Sequence, residues 1–175
     1  MVDNTIFDSL CADFEDILYS DLEGHASELL CIKYLQQISD SRSKKLVRGV
    51  IMGANLRPII SLHVQITEAI TTMSGTPHPV NVHFLHVAAS AQTYMSEEAL
   101  RAIGVEDAVV VGESVDKTKT LRLPLLINGY RVLVSPSPSE SHFAHINILG
   151  EDFIHASRAQ VFFGGDPPRF EIAFP

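Results

Sequence analysis

Apolar side chains at the start of the chain recur at steps of three and four residues. Over residues 3–19, Ile6, Phe7, Leu10, Cys11, Phe14, Ile17 and Leu18 fall on one stripe, which predicts an amphipathic helix. Asp3, Asn4 or Thr5 can cap it, and its early acids suit the positive end of a helix dipole. Ser20-Asp21 and Gly24 then predict a turn. Ala26, Leu29, Leu30, Ile32, Lys33, Leu35 and Ile38 predict a second helix over 25–39. The two would form a helical hairpin. The polar run from Ser39 to Lys45 reads as a linker, so residues 1–45 are expected to be a head and 46–175 the main domain.

Further on the period shortens to two. Ile59, Ile60, Leu62, Val64 and Ile66 form a β-rich run, and Thr71 to Pro79 a turn region. Val80, Val82 and Phe84 alternate with Asn81 and His83, the signature of a half-buried strand. Ser96 can cap a short helix that Gly104 closes. Further strands are predicted at 109–111, 121–127, 131–134, 147–149, 159–163 and 170–174. Asn128-Gly129 between two apolar runs predicts a tight hairpin. Ser135-Pro136-Ser137-Pro138-Ser139 predicts an exposed loop, because proline cannot donate inside a sheet. Many short strands with one short helix predict a mainly β, closed or sandwich-like domain.

Composition narrows the classes. Hydrophobic residues make up 46% and charged ones 19%, which a folded core can use and a disordered chain would not show. No apolar run reaches the roughly 18 residues that a membrane span needs, and the start lacks the basic head and apolar core of a secretory signal. Cys11 and Cys31 suit buried free thiols, which implies a reducing, intracellular and cytoplasmic setting. The net charge of −8 is carried by the head: Asp3, Asp8, Asp13, Glu15, Asp16, Asp21, Glu23 and Glu28 all precede the first base, Lys33. Beyond the head the chain is neutral as a whole, although from Lys33 to Arg57 the balance reverses to basic. No basic face with stacking aromatics stands out, so no nucleic-acid partner is expected.

Candidate chemistry is sparse. His83 and His86, like His142 and His145, are three apart, which does not converge two ligands on a strand, and no cysteine or acid completes a metal set. Ser90, His86 and Asp107 make a triad only on paper. Gly164-Gly165-Asp166 lacks the strand, loop and helix frame of a phosphate site. No cofactor and no metal is expected.

One stretch carries more. Leu85-His86-Val87-Ala88-Ala89-Ser90-Ala91-Gln92-Thr93-Tyr94-Met95 resembles the active-site strand and loop of retropepsin-like (retroviral-type) aspartic proteases, in the frame Leu-Val-Asp-Thr-Gly-Ala-Ser-x-Thr-Tyr-Met. Ungapped, Val87 stands where the resemblance puts the catalytic aspartate, with Ala88 at the threonine and Ala89 at the glycine. Ile148-Leu149-Gly150-Glu151-Asp152-Phe153-Ile154 resembles the Ile-Leu-Gly-x-Asp-Phe-Leu segment that closes such a domain and begins its last helix. The resemblance spans roughly residues 57–175 and implies a closed β domain, with a flap over 109–126 whose glycine is Gly112. It gives Ile148, Leu149, Gly150 and Asp152 structural roles and makes His86, Val87, Ala88, Ala89 and Ser90 a degenerate active-site loop.

The substitution removes the chemistry. Retropepsins pair two aspartates that share a proton and activate water between two subunits. Valine can neither hold that water nor take its proton, so no catalytic residue is assigned. The expectation is a catalytically inactive, homodimeric binding or scaffold module, of retroelement descent, taking an extended peptide or protein in its intersubunit cleft. The resemblance suggests that the strand 170–174 forms an intersubunit sheet. The alternative is an aspartic-type peptidase that works with replaced or non-standard groups, His86 or Asp152 among them. Another is a domesticated element acting through its acidic head.

Overall fold

The computed structural model describes residues 17–39, 42–67, 78–105, 122–141, 143–165 and 168–175. The described chain is mainly β: β1 (Leu46–Met52), β2 (Arg57–Ile66), β3 (Val80–His86), β4 (Tyr94–Met95), β5 (Leu123–Ile127), β6 (Tyr130–Pro136), β7 (Asn147–Leu149), β8 (Gln160–Gly164) and β9 (Arg169–Ala173). Its helices are α1 (Tyr19–Asp21), a π-helical stretch (Leu22–Ala26), α2 (Ser27–Leu30), α3 (Glu97–Ala102) and α4 (Glu151–Ser157). The strands follow the order β3-β7-β4-β6-β5-β2-β1-β9-β8, and a β3–β2 pairing closes the first six into a barrel.

Alternation builds the core. On β2, Ile60, Leu62 and Val64 lie opposite Phe84, Val82 and Val80 of β3, and Val64 and Ile66 lie opposite Ile127 and Leu125 of β5. Register partners share a face, so these residues line the barrel interior, joined by Val132 and Val134 of β6. All are buried. Each such side chain contributes roughly 1.5–3 kcal/mol on leaving water. β2 serves as the spine because its ten residues pair in turn with β1, β3 and β5.

The Asn128-Gly129 turn forms as predicted, with φ of 47° and 83° suiting a type I′ hairpin between β5 and β6. Its asparagine also anchors the entry to the domain. Lys44 N donates to Asn128 Oδ1 (2.9 Å) and Asn128 Nδ2 donates to Lys44 O (3.0 Å), a strand-like pairing made by a side chain.

The head departs from the expected hairpin. Residues 1–16, which hold most of the first predicted helix and Cys11, lie outside the described residues. The second helix begins earlier, at Tyr19, and takes in the predicted turn at Ser20-Asp21 and Gly24. Asp21 explains the start: its Oδ2 accepts from Leu18 N (2.8 Å) at the first turn. The helix stops at Leu30, where Cys31 adopts φ 54°. After a second left-handed residue, Leu35 (φ 53°), the chain lies beside β3, with Leu35 N donating to Asn81 O, Asn81 N to Gln36 O and Ile38 N to Pro79 O. Cys31 is exposed rather than buried, because it turns out of the helix end.

Three further differences have local causes. β1 was not foreseen, since exposed Leu46 and Arg48 and a central Gly49 hide its pattern. Ser135-Pro136 belongs to β6 instead of a loop. Ser135 N donates to Thr93 O, and Pro136 sits at the strand's last position, where a missing donor is tolerated. β9 lies between β1 and β8, paired on both sides, so among the described residues the outermost strand of this sheet is β8 and not the last strand. The predicted strand at 109–111 lies outside the described residues. Among those described, no helix is long and apolar enough to cross a membrane.

Candidate functional site

The degenerate loop leaves β3 at His86 and is held from beneath by the segment around β7. β3 and β7 run parallel, with Leu85 opposite Ile148 and His86 opposite Leu149. Val87 N donates to Leu149 O (3.1 Å), and Ser90 N closes a turn on Val87 O (2.9 Å). Glu151 N donates to Ser90 O (2.9 Å). The two segments singled out in the sequence are therefore one unit. Gly150 is required for it: a Cβ there would meet Gln92 O at 2.3 Å and Gln92 C at 2.4 Å.

Asp152 braces the same unit. Its Oδ1 accepts from Thr93 Oγ1 (2.6 Å) and Phe153 N (2.8 Å), and Arg122 Nη2 approaches Oδ2 at 3.4 Å. Thr93 Oγ1 in turn accepts from Gly150 N (3.2 Å). A carboxylate with this many donors is committed to positioning the loop. Thr93 was not singled out from the sequence, although it stands in the quoted frame beside the loop.

At the tip, Ala88, Ala89 and Ala91 are exposed, and Val87 and Ser90 are partly buried. The Ser90 hydroxyl donates to Gln92 O (2.7 Å), which leaves it with a structural partner rather than a base. The loop itself presents no acid, and among the described residues no group of His, Cys, Asp and Glu could hold a metal ion. Gly112, the flap candidate, and Asp107 lie outside the described residues, as does His142. His145 instead pairs with Glu98 (2.8 Å) on the surface.

His86 closes the strand with its ring stacked on Phe170 (5.6 Å between centroids) and near Phe163 (6.2 Å), while Phe163 stacks on Phe170 at 5.0 Å. Burial lowers its pKa from the ordinary histidine value, against weaker upward pulls from the Leu149 backbone and Glu151. Such an imidazole is a packing element of the β3 end.

A second polar cluster was not legible as a site. Ser27 Oγ donates to Leu22 O (2.9 Å) and accepts from Tyr34 N (3.1 Å), which leaves His83 Nε2 donating to it at 3.1 Å. In that tautomer His83 cannot act as a base toward Ser27, so the pair staples the head to β3. His83 is fully buried, and that burial pushes its pKa down to about 4. Beside it, Asn147 Nδ2 donates to Tyr34 Oη (2.7 Å) and His83 O (3.0 Å), while its Oδ1 accepts from Ser96 N (2.9 Å). Burial raises the Tyr34 pKa to about 12. Ser96 caps α3 as predicted, accepting from Ala99 N at 3.2 Å.

No family model and no curated protein matches the chain. Among solved structures it is similar to a retropepsin-like aspartic protease from Rickettsia conorii, with a TM-score of 0.43 and 9% sequence identity over 74% of this chain and 92% of that one.

Proposed function

We propose that this chain is a non-proteolytic, retropepsin-like binding or scaffold module that works as a homodimer. One observation carries the reading. The loop that β3 delivers onto the Ile148–Asp152 segment offers Val87, Ala88 and Ala89, with no acid, thiol or free hydroxyl to activate water. Asp152, the nearest family-matching acid, is bonded to Thr93, Phe153 and Arg122 and supports the loop from behind. His86 is packed among phenylalanines. Neither group suits the alternative of a peptidase with non-standard chemistry. The retained framework favours a role in holding an extended peptide or protein between two subunits.

The test is turnover of unstructured peptides by folded protein from about pH 3 to pH 8, the range in which carboxylates and histidines titrate. No cleavage is expected, and cleavage lost on changing His86 or Asp152 would overturn the reading. A gain-of-function variant, Val87→Asp with Ala88→Thr and Ala89→Gly, is expected to acquire peptidase activity at acidic pH. That outcome would show a cleft still shaped for peptides.

A further inference from the structure

A polar groove lies where the head meets the barrel, and no residue of the 87–90 loop lines it. Its floor is His63 of β2 beside its register partner Asn81 of β3. Both alternate with the valines of the barrel interior and so sit on the outer face. His63 is only 5% exposed, which makes the floor a built polar surface. On the same face of β2, Ser61 is buried too, and its hydroxyl finds no partner among the described residues. One wall is Gln36 and Gln37, in the segment that bonds to β3 at Asn81 and Pro79. The other carries Arg42 and Lys44, at the entry to the domain. Asn128 buckles this wall to the floor. Its side chain grips the backbone of Lys44 in both directions, and its own N–H donates to His63 O (2.9 Å). The cavity between them is about 630 Å³, within the range of small-molecule sites. No acid is among its described lining residues, although the chain as a whole carries −8. Asp40 and Ser41, between the walls in sequence, lie outside the described residues.

We propose that this groove binds a small polar anion, one that presents carboxylate or phosphate oxygens. Arg42 and Lys44 supply charge-assisted donors, which are stronger than neutral ones. The side-chain amides of Gln36, Gln37 and Asn81 can donate to the same oxygens or accept from hydroxyls on the ligand body. A cation would be repelled, and a wholly apolar ligand would leave these amides without bonds. The anchored walls need little ordering when the ligand arrives, which favours binding. The site is separate from the intersubunit cleft and stands whether or not the chain is a dimer.

The test titrates the full chain with sodium citrate, and separately with inorganic phosphate, at constant ionic strength. The side-chain amide NMR signals of Gln36, Gln37 and Asn81 should shift and saturate with at least one of them. Whichever saturates at the lower concentration identifies the ligand's oxygens as carboxylate or phosphate. Lys44→Glu should raise the dissociation constant at least about tenfold, and so should the near-isosteric Asn81→Asp, which sets a carboxylate in the floor. Lys44→Glu spares the clamp to Asn128, which uses only the Lys44 backbone. Circular dichroism confirms that both variants are folded. Arg169→Glu on β9 changes the net charge equally but lies outside the groove, and it should leave the constant unchanged. Equal weakening by Arg169→Glu would reduce the effect to general charge attraction and overturn the site. Signals that saturate with neither anion would overturn it as well. In that case, the same amides shifting on Asp3→Asn, Asp8→Asn and Asp13→Asn would assign the groove to the chain's own acidic head instead. None of these readouts involves peptide cleavage or oligomeric state, so the non-proteolytic homodimer reading is judged separately.

Discussion

Replacing His83 by Gln should flatten the acid limb of the stability curve. The histidine is fully buried against Tyr34 and Ser27, and its pKa falls from 6.5 to about 4. In the unfolded chain the ring takes a proton near its ordinary value, whereas the folded protein resists until the lower one. The stabilisation is therefore complete above pH 6.5 and is lost as pH falls from 6.5 toward 4. At about 1.4 kcal/mol per tenfold change in proton affinity, the loss reaches about 3 kcal/mol by pH 4. Burial also lowers the pKa of His86, which adds to the slope in the wild type and in the variant alike. The assay is urea unfolding at a series of pH values for both proteins. The variant starts lower at neutral pH, having lost the bond to Ser27, but it should lose about 3 kcal/mol less on acidification. Parallel curves would refute the claim that His83 is held neutral in the fold.

Two structural predictions concern the braces around the loop. Gly150→Ala should lower stability by at least about 1–3 kcal/mol, read as a shifted urea midpoint, because its Cβ would meet backbone rather than a yielding side chain. An unchanged midpoint would show that the loop is not seated on Gly150. Asn147→Ala removes three hydrogen bonds inside the fold and should cost about 3 kcal/mol, at roughly 1 kcal/mol for each. The lost bond to the tyrosine hydroxyl should also show in the near-ultraviolet spectrum of Tyr34.

What could be read from the sequence was what local chemistry alone dictates. Asn128-Gly129 specifies its turn whatever surrounds it, and the alternation at Val80, Val82 and Phe84 reports a face that the barrel does bury. Ser96 announces its cap for the same reason. The misses came where tertiary contacts overrule a local preference. Helical spacing continues through Leu35 and Ile38, but the chain breaks at Cys31 with a left-handed residue that is not glycine, and β3 then captures residues 35–38. Ser135-Pro136 reads as a loop until β4 supplies a partner. For the site, the paired motifs could be recognised, but not the hydrogen bonds that join them. Thr93 to Asp152 and Glu151 to Ser90 connect positions about 60 residues apart.

The pairing of β1 with β9 bears on how the molecule is made. Leu46 lies opposite Ala173, so an early strand of the domain waits for the last one before its outer edge is satisfied. The barrel has the same character, since β3 needs β7, and both are bonded through residues far apart in the chain. Loop closure over such distances must be met before the contacts repay it, which makes assembly slow. A ribosome emitting this chain would therefore carry β1, with its apolar Val47, Val50 and Ile51, as an unfinished sheet until residues 169–173 have emerged. The outer sheet is completed as a whole, and any event that removes β9 also strands β1.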